Sequence, residues 1–163
     1  MLRRLSNTEV IAQFGDPTKY LTPTGDPDGV WKVAILGKFS LPAPLPLAWD
    51  AGIKAKTISC HRLVVDELRD IFVAIHANPA AWSAINDYGG CYNWRTNRNN
   101  PKALSRHCWG IAVDLDVKDN PNKGGINMHP FVVECFAAKG WIWGGDKRFF
   151  PTPDGMHFEK GAL

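Results

Sequence analysis

Apolar residues at Leu63, Val64, Leu68, Ile71, Phe72 and Ile75 recur at spacings of three and four, which predicts an amphipathic helix with one face in a core. Nearer the start, Ser6-Asn7-Thr8-Glu9 has the form of a capping box. Val10, Ile11 and Phe14 supply a short apolar face, and Gly15 followed by Asp16-Pro17 stops the element after about two turns. From Leu21 to Pro46, glycine and proline crowd around two apolar runs, Val30–Leu36 and Leu41–Leu47, which reads as a wrapping segment with short extended pieces. Ile53–Ile58 alternates like a strand. In Gly110–Asp116, Ile111, Val113 and Leu115 point one way and Ala112, Asp114 and Asp116 the other, the pattern of a half-buried strand. Asp119–Gly125 is turn-rich, Phe131–Lys139 is a short helix closed by Gly140, and Trp141–Trp143 and Met156–Glu159 are further strands.

These elements predict an α+β fold in which helices flank a small antiparallel sheet. At 163 residues with 45% apolar positions, and with neither repeat nor linker, the chain is expected to be a single domain over 1–163 with a core of its own. Nineteen Lys+Arg against sixteen Asp+Glu give +3, well short of a nucleic-acid-binding stripe, so no nucleic acid partner is expected. No run approaches the ~20 apolar residues of a membrane span, and Met1–Asn7 turns polar before any signal-type run begins. Synthesis in the cytoplasm without a signal peptide, no membrane insertion and a monomeric state are the expectations. Cys60, Cys91, Cys108 and Cys135 match no CxxC spacing and read as reduced thiols.

The segment Ser105-Arg106-His107-Cys108-Trp109-Gly110-Ile111-Ala112-Val113-Asp114 is answered near the C-terminus by Asp154-Gly155-Met156-His157-Phe158-Glu159. His107, Asp114 and His157 are ligand types suited to Zn²⁺, one ion per chain, and three protein ligands leave a fourth position for water. On one uninterrupted strand His107 and Asp114 would point to opposite faces, so a turn is expected at Trp109-Gly110. Such residues are more often structural than metal-bound, which keeps a metal-free binding module open as an alternative. His61, His76 and His129 lack partners at metal spacing and are expected on helix or loop surfaces, and Cys108 reads as a packing residue. Glu159 is either a hydrogen-bond partner of a ligand imidazole or a solvated strand-end carboxylate.

Ser105-x-His107-x-x-Gly110-x-Ala112-x-Asp114, followed by Trp141-x-Trp143-Gly144-Gly145 and Asp154-x-x-His157-Phe158-Glu159, resembles the D-alanyl-D-alanine carboxypeptidase-like zinc peptidases. That group includes vancomycin-resistance carboxypeptidases and phage L-alanyl-D-glutamate endolysins. The resemblance runs strongly from about Tyr92 to Glu159 and more loosely back through Trp49 and His61 to Phe14–Pro17, leaving no separate cell-wall-binding domain. It implies the fold shared by hedgehog domains and D-Ala-D-Ala peptidases, with His107, Asp114 and His157 as zinc ligands. It further implies Asp154 as the general base and Arg95, in Tyr92-Asn93-Trp94-Arg95, as the group that stabilises the oxyanion. Ser105 would orient neighbours and not act as a nucleophile, and Trp143 would brace the site or its substrate cleft. For Asp154 and His157 to address one metal, Asp154 must lie in a loop ahead of the His157 strand, which Pro153 and Gly155 permit. Lys147-Arg148 and Gly155 depart from the family's pattern near the cleft.

The function implied is a zinc-dependent peptidoglycan peptidase of the endolysin type, cutting the murein stem peptide, with the L-alanyl-D-glutamate bond as target. It would act on the cell wall after phage or prophage release. A D-alanyl-D-alanine carboxypeptidase is the alternative reaction, and a zinc-binding but non-catalytic domain of the same fold is the alternative class.

Overall fold

The computed structural model describes residues 1–27 and 29–162. Strand β1 (Arg3–Arg4) leads into helix α1 (Asn7–Phe14), where the Ser6 hydroxyl accepts from the Glu9 N–H and the Glu9 carboxylate accepts from the Ser6 N–H. Gly15 ends that helix, and Asp16 caps a 3-10 turn over Pro17–Tyr20.

Leu21–Pro46 is more regular than the wrapping segment its composition suggests. Helix α2 (Gly29–Ile35) buries Trp31 and Ile35. Strand β2 (Leu36–Leu47) then pairs antiparallel with β3 (Asp50–His61) in a long hairpin. Pro42 and Pro44 are tolerated in β2 because its register with β3 breaks between Ser40 and Leu45; Pro46 pairs with Lys54 just ahead of a second break, and the other edge of β2 pairs only at Leu47. The tip of the hairpin stands clear of the body, leaving Trp49 and Ile53 exposed; of the alternating Ile53–Ile58 stretch only Ile58 is fully buried.

The amphipathic helix begins as a 3-10 turn, Arg62–Val64, and continues as α3 (Val65–His76). Val64, Leu68, Ile71, Phe72 and Ile75 are buried, each contributing about 1.5–3 kcal/mol. Leu63 is exposed instead, because the tighter turn ahead of the helix shifts its direction. Next come α4 (Pro79–Ser83), β4 (Tyr88–Gly90), β5 (Thr96–Asn97) and β6 (Asn100–Leu104). β7 (Ala112–Leu115), α5 (Pro130–Ala138), β8 (Trp141–Trp143) and β9 (His157–Ala162) follow.

The main sheet has the order β1-β9-β7-β4-β2-β3, with β8 also pairing β9. Every pairing is antiparallel except the β2–β4 bridge, giving a mixed α+β architecture. β5 and β6 form a separate hairpin. The core collects behind the sheet, where Phe136 of α5 stacks on Phe158 of β9 at 4.0 Å and meets Phe72 of α3 edge-on at 6.3 Å.

β7 is buried along its whole length, not half-buried: β9 and β4 occupy its edges and both of its faces are covered. Asp114 pairs with His157 and Ala112 with Glu159, so these side chains share the face opposite Phe158 and Val113. Asp116 has already left that face: at φ 52° it turns away and accepts from the Asn86 and Asn120 amides. The three histidines expected at the surface also divide. His76 is exposed and His129 caps α5, but His61 is buried, with Nδ1 accepting from the Leu63 N–H and Nε2 3.2 Å from the Phe14 carbonyl. Cys60, Cys91 and Cys108 are buried and Cys135 half-buried, all as free thiols. No helix among the described residues is long and apolar enough to cross a membrane.

Candidate metal centre

His107 lies in a 3-10 turn, Arg106–Trp109, whose start is capped by the Ser105 hydroxyl accepting from the His107 N–H at 3.3 Å. Gly110 closes the turn at φ 65°, and a Cβ there would press on the backbone of Cys60 and His61, so glycine serves both conformation and packing. This is the reversal required between His107 and Asp114. It delivers His107 to the face of β7 that carries Asp114.

Asp154 sits in the turn immediately ahead of β9. Its carbonyl accepts from the His157 N–H at 3.0 Å, and its own N–H donates to Gly144 at 3.0 Å. The Gly144 N–H donates in turn to the His157 carbonyl at 2.7 Å, and a Cβ on Gly144 would fall on the Asp154 carbonyl. Trp143 fixes the same turn by donating its indole N–H to the Gly155 carbonyl at 2.7 Å.

The three ligand candidates converge. Their ligand atoms lie within 4.8 Å of one another, and all three residues are buried. Asp114 Oδ1 is 3.2 Å from His107 Nε2 and 3.0 Å from His157 Nδ1, close to the edge of a tetrahedron with bonds of about 2.0–2.1 Å. His107 Nδ1 is 2.6 Å from the Cys91 carbonyl, so that nitrogen carries the proton and Nε2 turns a lone pair inward. That Nε2 is buried without a hydrogen-bond partner. His157 Nε2 lies 3.2 Å from Glu159 Oε2, which leaves its Nδ1 for the centre. An imidazole lone pair of His107 aimed at the Asp114 carboxylate oxygen is unfavourable in a buried place unless a cation joins them. The donor set, two nitrogens and an oxygen, fits Zn²⁺.

Electrostatics follow from this crowding. Burial opposes ionisation of Asp114, yet the two imidazoles hold its carboxyl well below the ordinary range. Burial likewise disfavours charge on His157, but hydrogen bonds to Asp114 and Glu159 outweigh it and raise its value. Glu159 is held low against its burial by His157 and Arg4. For Asp154, burial dominates and raises the carboxyl, and its Oδ1 has no partner.

Asp154, His157 and Glu159 line a cleft of about 650 Å³ together with Arg95, Arg98 and Ser105. Arg95 Nη2 is 3.9 Å from Asp114 Oδ2, and its backbone is gripped by the Cys108 thiol, which donates to its carbonyl at 3.0 Å and accepts from its N–H at 3.4 Å. Cys108 is thus more than filler. The Cys91 carbonyl, Cys108 and the first residues of the chain also shape the site without a signal in the local sequence. A backbone acceptor is independent of side-chain identity, and Arg4 approaches from the far end of the chain.

A family model described as D-alanyl-D-alanine carboxypeptidase matches residues 98–160. His107, Asp114, Asp154, His157 and Glu159 fall inside the match; Arg95 and the looser likeness through Trp49, His61 and Phe14–Pro17 fall outside it. At the level of family, this supports a peptidoglycan-acting zinc metallopeptidase. Comparison with curated proteins and with solved structures returned no match.

Proposed function

We propose that this chain is a zinc-dependent peptidoglycan peptidase of the endolysin type that hydrolyses the L-alanyl-D-glutamate bond of the stem peptide. The observation that carries the reading is the buried triad His107/Asp114/His157, with an unpartnered His107 Nε2; its His157 lines a cleft that also holds Asp154, whose Oδ1 has no partner. His107 through Nε2, Asp114 through Oδ1 and His157 through Nδ1 would hold the ion. Zinc, when bound, supplies a Lewis acid for the scissile carbonyl and makes water a nucleophile near neutral pH.

The chain's own residues supply the rest. Asp154 takes the proton from the attacking water and passes it to the leaving amine; a half-buried carboxyl with a raised pKa suits both duties. Arg95 stabilises negative charge developing on the carbonyl oxygen. Ser105 and Gly110 fix the turn that presents His107, and Trp143 with Gly144 fixes the turn that presents Asp154.

Two features suit a stem-peptide substrate. The cleft is larger than a dipeptide fills, and Arg98, on its rim, offers a cation to the α-carboxylate that the residue after the scissile bond carries in either reaction. The D-alanyl-D-alanine carboxypeptidase reaction is the second reading, favoured by the description of the matching family. Peptidoglycan digested with the purified protein and resolved by mass spectrometry separates them. Stems beginning with a free D-glutamate amine support the first, release of terminal D-alanine alone supports the second, and no cleavage with zinc bound leaves a non-catalytic zinc domain.

A further inference from the structure

The Glu159 carboxylate, nearly sealed from solvent, lies between two partners. On one side it accepts from His157 Nε2; on the other it receives Arg4 as a two-pronged donor, Nε to Oε1 at 2.8 Å and Nη2 to Oε2 at 3.3 Å. Arg4 cannot drift from this post. Its backbone is paired with Gly161 in the β1–β9 ladder, and its guanidinium lies over the Phe150 ring at 4.2 Å. Phe150 itself meets the His157 ring edge-on at 5.9 Å. The next residues are tied to the other ligand-bearing turn, because Arg106 donates to the Leu5 carbonyl at 2.7 Å and to Asn7 Oδ1 at 2.8 Å.

We infer that Arg4 is a positioning residue of the metal centre, acting through Glu159 to fix the orientation and tautomer of His157; this rests on the zinc reading above. A buried carboxylate without a cation is costly and mobile among its rotamers. Clamped by the fork of Arg4, Glu159 presents one oxygen to Nε2–H, and the only lone pair left to His157 is on Nδ1, facing Asp114. Without the clamp Glu159 can turn toward the centre, and His157 loses the partner that selects its tautomer.

The test is zinc affinity, measured by competition with a chromophoric chelator on the full chain, with the metal-free melting midpoint recorded beside it. Arg4→Met keeps the apolar stem over Phe150 and removes the fork; it should weaken zinc binding about 10–100-fold, the usual effect of losing a partner behind a ligand. Arg4→Lys restores a cation without the planar fork and should fall between. In a Glu159→Gln background, Arg4→Met should add less than about twofold, because its route to the metal is already cut. Nitrogen-15 spectra of the zinc-loaded protein should show His157 protonated at Nε2, and mixed tautomers in Arg4→Met. Zinc affinity within about twofold of the parent in Arg4→Met, or losses that multiply in the double variant, overturns the assignment while leaving the zinc reading intact. A parent protein that binds no zinc overturns both.

Discussion

Zinc and protons should compete for His157. In the metal-free protein, the imidazole lies 3.0 Å from Asp114 Oδ1 and 3.2 Å from Glu159 Oε2, and these bonds raise its pKa above the ordinary histidine range despite full burial. The ion must therefore displace a proton across neutral and mildly alkaline pH. For one competing proton, affinity changes tenfold per pH unit, about 1.4 kcal/mol. Between pH 6.5 and 8.5 the zinc Kd should fall about a hundredfold, where histidines of ordinary pKa would level off near pH 7.

The metal-free and zinc-loaded folds follow pH differently. Protonated His157 stabilises the metal-free fold, a contribution whole below the unfolded value of about 6.5 and lost as pH rises through the higher folded value. The zinc-loaded fold carries no proton on His157, so against an unfolded chain that is deprotonated above about 6.5 its stability is level over the same window. Titration calorimetry at pH 7.5 in two buffers of different ionisation enthalpy should report about one proton released per zinc. The melting gap between loaded and metal-free protein should widen with pH. A Kd that is flat from pH 7 to 8.5, with no proton release, would refute this account of His157.

Catalyst and ligand separate by mutation. Asp154→Asn should keep zinc and lose about 10²–10⁴ in turnover, while His157→Ala should lose both zinc and activity, read by metal content beside kcat. Arg95→Ala should keep zinc and lose roughly 10²–10³ in rate, measured the same way. Gly144→Ala would drive a methyl into the Asp154 carbonyl and should cost about 1–3 kcal/mol of stability in denaturant melts, with activity falling as the Asp154 turn is displaced. Burial pushes the Cys60 thiol up to about 12 and the Cys91 thiol well above its ordinary value, and Cys108 is raised as well. Burial raises the Cys135 thiol too, but Cys135 is half-buried where the others are buried, so a disulfide reagent at pH 8 should modify it far faster than the other three in native protein, and all four once unfolded.

The local sequence decided what depends on neighbours in the chain. The reciprocal cap of Ser6 and Glu9, the face of Leu68, Ile71, Phe72 and Ile75, and the reversal at Gly110 follow from propensity, period and one obligatory glycine. The ligand set was legible because His107 and Asp114 share one short segment with a glycine reversal and His157 falls in a second; the β7–β9 pairing then brings the two segments together. Where only neighbours in space decide, the pattern misled. β7 alternates like a half-buried strand yet is covered on both faces by the elements packed against the sheet, and His61 is buried with hydrogen bonds to Phe14 and Leu63. The proline-rich run became a long strand because its free edge needs few donors. Glu159 illustrates the divide: its residue type suggested two roles, and only the fold, by closing β1 against β9, set Arg4 on one side of it and His157 on the other. Contacts across the whole length of the chain carry no local signature, because they are chosen by the packing of the sheet and not by the residues beside them in sequence.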